Sequence, residues 1–173
     1  LGFTNGTENQ SNLGANLFGR GDYSDYYKTS LFLRSNGKST DIYLSDIGLL
    51  RELAGLPPEA ILAGNTAYTE FKGALAENYV LQSLVCQLEI LPRYWTSLGK
   101  AEVDFVIQSG IEIIPIEVKS DTRLGGKSLS VYDMNYHPTY KIRYSLNNLK
   151  VDDNLINIPL YLADWTMKLI SIR

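Results

Sequence analysis

The feature that most constrains the fold is a pair of apolar segments separated by a tight turn. Residues 102–107 alternate between apolar and other side chains, which is the pattern of a strand with one buried face. Residues 111–119 show a second strand pattern, and Ser109-Gly110 lies between the two as a turn. The sequence therefore predicts a β-hairpin in this part of the chain.

The other apolar patterns alternate between strands and helices. The longest helical signal covers residues 66–88, where Val80, Leu81 and Leu84 lie on one stripe with Glu77 in its middle. This mixture of strands and helices predicts an α/β fold. Shorter strands are predicted over 42–44, 91–96, 140–146 and 155–158, and shorter helices after Asp46, over 127–136 and over 159–170.

The first forty residues differ in composition from the rest of the chain. Gly, Asn, Ser and Thr fill half of these positions, and apolar periodicity is weak there. Such a composition favours turns and loops over packed elements. We therefore predict an irregular or poorly ordered segment over residues 1–40 and one α/β domain over residues 41–173. Because the chain begins at Leu1 rather than Met, we expect it to be a piece of a longer protein.

Composition excludes several classes of protein. No run approaches the roughly 18 apolar residues that a membrane helix needs, so we expect no membrane partner. Cys86 and His137 are the only cysteine and the only histidine, which argues against a disulfide framework and a Cys/His zinc cluster. Since no export signal is visible, we expect a cytoplasmic location. Composition does not predict an oligomeric state.

Two short sequences resemble the end of a phosphate-binding P-loop. They are residues 37–39 and 126–128, each Gly-Lys-Ser. A P-loop also requires another glycine five positions before the glycine of Gly-Lys-Ser. Phe32 and Asp121 occupy those positions here. We therefore expect no ATP site in this chain.

Three carboxylates lie where apolar side chains would be expected. Glu77 lies in the helical stripe, Asp104 in the first hairpin strand and Glu117 in the second. Burying carboxylates is unfavourable unless they are paired or hold a cation, and a divalent metal suits clustered oxygen ligands. Lys119 lies two residues after Glu117, so both point to the same side of a strand. Mg²⁺ or Mn²⁺ held by these acids, together with the lysine, would suit phosphodiester hydrolysis.

The Glu-x-Lys pattern alone is weak, because it occurs twice in the chain. In Glu70-Phe71-Lys72 the pattern falls in the helical signal, where residues two apart do not face each other. A salt-bridged sheet face, with Asp104 and Glu117 paired to Lys119 and Lys100, explains the same residues equally well. Both interpretations stay open at this point.

The order of these residues resembles the PD-(D/E)xK nuclease superfamily, with Ile116-Glu117-Val118-Lys119 as its second strand. More narrowly, the chain resembles the C-terminal domain that follows an AAA-type ATPase domain in many bacterial and archaeal proteins. The resemblance covers about residues 41–165. Its matching blocks are Ile42–Leu50, Gly73–Val80, Tyr94-Trp95, Glu102–Ile107, Ile114–Ser120, Lys127–Leu129 and Ile158–Tyr161.

The resemblance implies a restriction-endonuclease-like fold, with a central mixed β-sheet flanked by α-helices. It implies that Asp104 and Glu117 are metal ligands, that Lys119 is the catalytic lysine and that Glu77 is the helix acid. It also implies an AAA-type ATPase domain in the same longer protein as a partner. The segment 1–40 does not match the part expected before the first block.

Nucleic acid is a possible partner, because residues 119–150 carry a net charge of +4 whereas residues 51–118 carry −5. Basic side chains in such a run can contact phosphates, although a solvated face explains them equally well. We therefore expect a nuclease-like domain that hydrolyses phosphodiesters or binds nucleic acid. The alternative is a non-catalytic interaction or regulatory module of the ATPase. The candidate nucleic-acid contacts are Arg123, Lys127, Ser128, Lys141 and Arg143.

Overall fold

The structure is a computed structural model of the chain. It describes residues 31–35, 40–44, 46–55, 57, 59, 66–97, 101–122 and 125–171. The chain divides into two compact units, Leu1–Thr69 and Glu70–Arg173. The candidate acids and the candidate nucleic-acid contacts all belong to the second unit.

The first unit contains an antiparallel strand pair and a short capped helix. Strand β1 (Leu31–Ser35) pairs with β2 (Thr40–Leu44), so part of the segment predicted to be irregular is a strand. Helix α1 (Ile47–Leu53) follows. Its first turn is capped as predicted, because the Asp46 carboxylate accepts a hydrogen bond of 2.7 Å from the Leu49 amide. Most of residues 1–40 lies outside the described part of the chain.

In the described part of the second unit, six strands form one mixed sheet in the order β3-β4-β5-β6-β8-β7. The predicted hairpin is confirmed as β4 and β5, which pair antiparallel. Strands β5, β6 and β8 run parallel to one another, and the remaining pairs are antiparallel. The strands are β3 (Arg93–Thr96), β4 (Glu102–Ser109), β5 (Glu112–Val118), β6 (Lys141–Ser145), β7 (Lys150–Asp152) and β8 (Leu155–Pro159).

One face of the parallel strands is apolar and buried. Helix α2 (Thr66–Val85) and the C-terminal segment contribute buried apolar residues to the core. They are also linked by a hydrogen bond, because Gln87, just beyond α2, donates to the Ala163 carbonyl at 2.8 Å. The Tyr144 hydroxyl hydrogen-bonds Thr166, which joins this face of β6 to the C-terminal segment. That segment is a 3₁₀ helix (Leu160–Trp165) followed by α4 (Thr166–Ser171), and the sheet residues of this face are Ile116, Val118, Ile142, Tyr144, Ile156 and Ile158.

Helix α3 (Ser128–Tyr136) packs on β4 and β5 and covers a second apolar cluster. Leu129 and Tyr132 of α3 are buried there against Val103, with Leu155 at the edge. The Trp95 indole lies edge-on to Tyr132, with the ring centroids 5.2 Å apart. The two clusters place helices against the sheet, so the predicted α/β class is confirmed in its general form.

Strand β4 contains a bulge at the position of the predicted metal ligand. Arg93 pairs with Val106 and Trp95 pairs with Val103, so two steps along β3 match three along β4. Burial along β4 still alternates as predicted, since Val103, Phe105 and Ile107 are buried and the residues between them are less so. At the bulge, Val103 and Val106 both contact the cluster under α3, although strict alternation would have placed them on opposite faces.

Candidate functional site

The register of the parallel strands brings three polar side chains into one row. Glu117 of β5 is the pairing partner of Arg143 of β6, and Arg143 is in turn the partner of Asn157 of β8. Residues paired in this way project from the same face of a sheet. The row lies on the face opposite to the apolar one, since Ile116 and Val118 flank Glu117 in sequence.

Glu117 is buried and bound by two cations. It is only 2% exposed. The Arg143 Nε donates a hydrogen bond to Glu117 Oε2 at 3.1 Å, and the Lys119 ammonium lies 3.2 Å from Oε1. Each carboxylate oxygen therefore has a positively charged partner, which is what a buried charge needs to be tolerated.

Gly126 closes over this carboxylate. An ideal Cβ added to Gly126 would lie 2.9 Å from Glu117 Oε2 and 3.0 Å from Cδ, and closer still to Oε1. No side chain larger than hydrogen fits there without moving Glu117. The same substitution at Gly125 meets nothing within 4 Å. The loop before α3 therefore approaches the carboxylate through the glycine of the Gly-Lys-Ser sequence that resembled a P-loop end.

Asp104 has a backbone partner. Its Oδ2 accepts a hydrogen bond of 2.6 Å from the Val118 amide. The regular pairing of β4 with β5 ends at Phe105 and Ile116, so Asp104 is the first residue of β4 beyond the paired segment. Its carboxylate accepts the hydrogen bond of an amide that has no partner in the regular ladder, and it lies next to the peptide bond between Glu117 and Val118.

Two of the predicted catalytic residues are in contact, since Lys119 is paired with Glu117. Asp104 binds the amide of Val118, the residue between them, and a common catalytic role of the three stays a prediction. Lys119 is the more accessible partner of the ion pair, because 32% of its side chain is exposed and only 3% of the Glu117 side chain is. Glu77 lies on α2 and is half-buried. That Glu77 belongs to the cluster stays a prediction.

The candidate nucleic-acid contacts differ in their availability. Lys127 is exposed just before α3, and Ser128 is the first residue of that helix and half-buried. Lys141 forms a 2.6 Å ion pair with Asp133 of α3, which lowers the pKa of the Asp133 carboxyl. Arg143 is committed to Glu117, and Arg123 lies outside the described residues. Among the candidate nucleic-acid contacts that the structure describes, Lys127 is therefore the exposed cation.

A resident Mg²⁺ does not fit this arrangement. The ion requires oxygen ligands at about 2.1 Å, and both oxygens of Glu117 are already bound to cations. Two unit charges 4 Å apart interact by about 4 kcal/mol at an effective dielectric constant near 20, and a divalent ion doubles that repulsion. In the described ranges, no group of three or more His, Cys, Asp and Glu side chains is placed to hold a metal.

Sequence reasoning missed the pairing of Arg143 with Glu117. It assigned Arg143 to a basic run facing phosphates, whereas the side chain is 10% exposed. A signal was present, because Arg143 lies between Ile142 and Tyr144 in a strand of buried residues. A cysteine within the helical signal over 66–88 is most simply a core residue, but Cys86 is exposed. Ser83 lies across from the apolar stripe in the helical pattern, yet it is buried.

Comparison with known protein families adds one match. The model of DUF4143, a domain of unknown function, matches residues 72–162, which is more than half of the chain. The chain belongs to the DUF4143 family. No curated protein and no solved structure matches this DUF4143 chain. The match is compatible with a domain that follows an ATPase domain.

The DUF4143 match covers Glu77, Asp104, Glu117, Lys119 and the row through Arg143. It therefore includes the whole candidate site together with its central strands. The described helices also include none with the length and apolar content required to cross a membrane.

Proposed function

We propose that this domain is a non-catalytic interaction module of a larger protein that contains an AAA-type ATPase domain. The observation that supports the proposal is the double ion pair of Glu117. A carboxylate that is 2% exposed and bound by Arg143 at 3.1 Å and Lys119 at 3.2 Å is engaged in holding β5 to β6. It is not available as an open metal ligand.

The charge of the cluster supports the same conclusion. Asp104 and Glu117 contribute two negative charges, and Lys119 and Arg143 contribute two positive ones. A hydrolytic site needs an excess of negative charge to retain a divalent cation. A cluster whose formal charges sum to zero has the composition of a salt-bridge network. The alternative that the sequence left open named Lys119 and Lys100 as the cations; Lys100 lies outside the described residues, and Arg143 is the second cation of Glu117.

Exposed apolar side chains offer surface for a protein partner. Leu146 and Leu149, before β7, are 60% and 48% exposed, and Val151 on that edge strand is 44% exposed. In the 3₁₀ helix Tyr161 and Trp165 are 72% and 54% exposed. Large apolar and aromatic side chains are enriched at protein interfaces. The resemblance suggests the ATPase domain of the same longer protein as the partner.

A second candidate function is metal-dependent phosphodiester hydrolysis in a nuclease-like, restriction-endonuclease-like domain. One observation favours it: the Lys119 ammonium contacts the Glu117 carboxylate, and the Asp104 carboxylate binds the amide of Val118, the residue between them. Active sites of this kind require that convergence. For this function the ion pairs would have to open on metal binding.

Cleavage assays distinguish the two functions. Wild-type protein is incubated with plasmid DNA, single-stranded DNA and RNA at millimolar Mg²⁺ or Mn²⁺, beside Glu117→Gln and Asp104→Asn. We expect the three proteins to give the same background level of nucleic-acid cleavage. Metal-dependent cleavage by the wild type alone would refute the non-catalytic function and support the nuclease function.

Binding to the ATPase domain tests the interaction directly. We expect the wild-type domain to bind the ATPase domain of the longer protein, and Leu149→Asp with Val151→Asp to weaken that binding while leaving the melting temperature unchanged. Arg93→Asp changes the charge by the same amount and lies on β3, at the opposite edge of the sheet from β7, so it is the matched control for added negative charge. Equal binding by the β7 variant and the control would contradict the choice of surface.

A further inference from the structure

The guanidinium of Arg143 is bound to the carboxylate that the sequence predicts as a metal ligand. Its Nε is 3.1 Å from Glu117 Oε2, and the residue is 8% exposed. The carboxylate partner is 2% exposed. A delocalised positive charge thus neutralises this carboxylate inside the protein.

We propose that Arg143 replaces the divalent cation of this site, so that the chain carries a cation site filled by its own side chain. The proposal rests on the non-catalytic function proposed above and names the residue responsible for it. It assigns to Arg143 the neutralisation of Glu117 and the exclusion of metal from the cluster.

The position of Arg143 is set by the backbone. It is paired with Glu117 on one side and with Asn157 on the other through the register of β5, β6 and β8. Because Arg143 is 8% exposed on a central strand, its guanidinium has little room to move away from Glu117. Lys119 differs, because it follows the last residue of β5 and 32% of its side chain is exposed.

The two cations therefore have different roles. Lys119 has the exposure and the spacing from Glu117 that the hydrolytic pattern contains, and it can turn toward solvent. Arg143 is the cation that this pattern does not contain. Removing Arg143 alone should leave Asp104, Glu117 and Lys119 as a set with an unneutralised carboxylate, which is the condition for binding a divalent cation.

The experiment measures Mn²⁺ binding by electron paramagnetic resonance, in which bound ions lose the signal of free Mn²⁺. Arg143→Met removes the charge and keeps much of the side-chain length. We expect this variant to bind about one Mn²⁺ per chain, at least about tenfold more tightly than the wild type. We expect Glu117→Gln added to Arg143→Met to abolish the gain.

Lys141→Met is the matched control. Lys141 lies two residues before Arg143 on β6 and forms a separate ion pair with Asp133 at 2.6 Å. The Lys141→Met variant loses the same charge from the same strand, but both ion pairs of Glu117 remain. We expect it to bind no more Mn²⁺ than the wild type, and a gain equal to that of Arg143→Met would overturn the proposal as a nonspecific effect of charge.

A folding readout keeps the test decisive. If Arg143→Met is unfolded by circular dichroism without metal, Mn²⁺ should restore the fold, because the ion would neutralise Glu117 in place of the guanidinium. A folded variant that binds no Mn²⁺, or an unfolded one that Mn²⁺ does not restore, overturns the proposal. Mn²⁺ binding by the wild type as tight as that of the variant overturns it as well.

These outcomes are separate from those of the cleavage assay. A wild type that cuts nucleic acid refutes the non-catalytic function whatever the Mn²⁺ titration shows. A wild type that neither cuts nor binds Mn²⁺, beside an Arg143→Met variant that also binds none, leaves the non-catalytic function standing and refutes the role given to Arg143.

Discussion

Replacing Gly126 with alanine should destabilise the protein far more than the same change at its neighbour. The added Cβ would lie 2.9 Å from Glu117 Oε2 and 3.0 Å from Cδ, whereas ordinary contacts begin at 3.4 Å. The carboxylate must therefore shift by several tenths of an ångström or more. It cannot do so freely, because Arg143 and Lys119 hold it at 3.1 and 3.2 Å.

Two effects set the size of the loss. Overpacking a filled site usually costs about 1–3 kcal/mol, and breaking a buried ion pair by disturbing one partner costs about 3–5 kcal/mol when the pair is lost completely. Since the shift weakens the pair and does not remove it, we expect Gly126→Ala to lower the free energy of unfolding by about 2–4 kcal/mol. Gly125→Ala meets nothing within 4 Å, and we expect it to be neutral or stabilising by up to about 1 kcal/mol.

Urea denaturation followed by circular dichroism measures both changes. A double-mutant cycle with Glu117→Ala identifies the cause, because the added methyl group then meets no carboxylate. In that background Gly126→Ala should cost no more than Gly125→Ala. Equal stability of the two single variants, or an unchanged penalty for Gly126→Ala without the Glu117 carboxylate, would refute the reasoning.

Three further predictions follow from individual hydrogen bonds. Asp104→Ala should lower the free energy of unfolding by about 1–3 kcal/mol, because it leaves the Val118 amide without its acceptor, whereas Asp104→Asn keeps an oxygen there and should lose less; urea midpoints compare the two. The pKa of Asp133 is lowered in the folded state by Lys141, so this pair stabilises the fold above the carboxyl's ordinary pKa and loses its effect as the pH falls through the lowered value. In the Lys141→Met variant, the free energy of unfolding should therefore fall less steeply below about pH 4 than in the wild type. An equally steep fall in this variant would contradict the role given to the Lys141–Asp133 pair. Tyr144→Phe should cost about 1 kcal/mol in thermal melts through loss of its buried hydroxyl contact, and an unchanged melting temperature would show that the contact contributes nothing.

The elements that the sequence predicted correctly depend on local chemistry. The hairpin turn contains Gly110, whose φ of +61° suits glycine, and Asp46 caps α1 through its own side chain. His137 precedes Pro138, a pattern typical of a turn, and the residue is exposed and ends α3 in the left-handed conformation. Strand β7 was missed because its three residues are exposed and carry no apolar alternation.

The candidate site was predictable only in part, for a physical reason. The spacing of Glu117 and Lys119 is local, so their contact could be predicted from the strand pattern. The partner that decides the chemistry, Arg143, is 26 residues away in sequence and arrives through a helix that crosses over the sheet. Its contact depends on the register of two parallel strands, and residue spacing carries no information about that register. The bulge that gives Asp104 its backbone partner arises from strand pairing in the same way.

The row from Glu117 through Arg143 to Asn157 also has a consequence for how the chain reaches this fold. Strands β5, β6 and β8 are five to seven residues long, and buried side chains lie on both of their faces. A slip between β5 and β6 would place Glu117 opposite Ile142 or Tyr144 and would leave the carboxylate buried among apolar side chains. A charge pair that adds little net stability to the native sheet therefore makes misaligned pairing of β5 with β6 unfavourable, because each misaligned register leaves a buried charge without its partner.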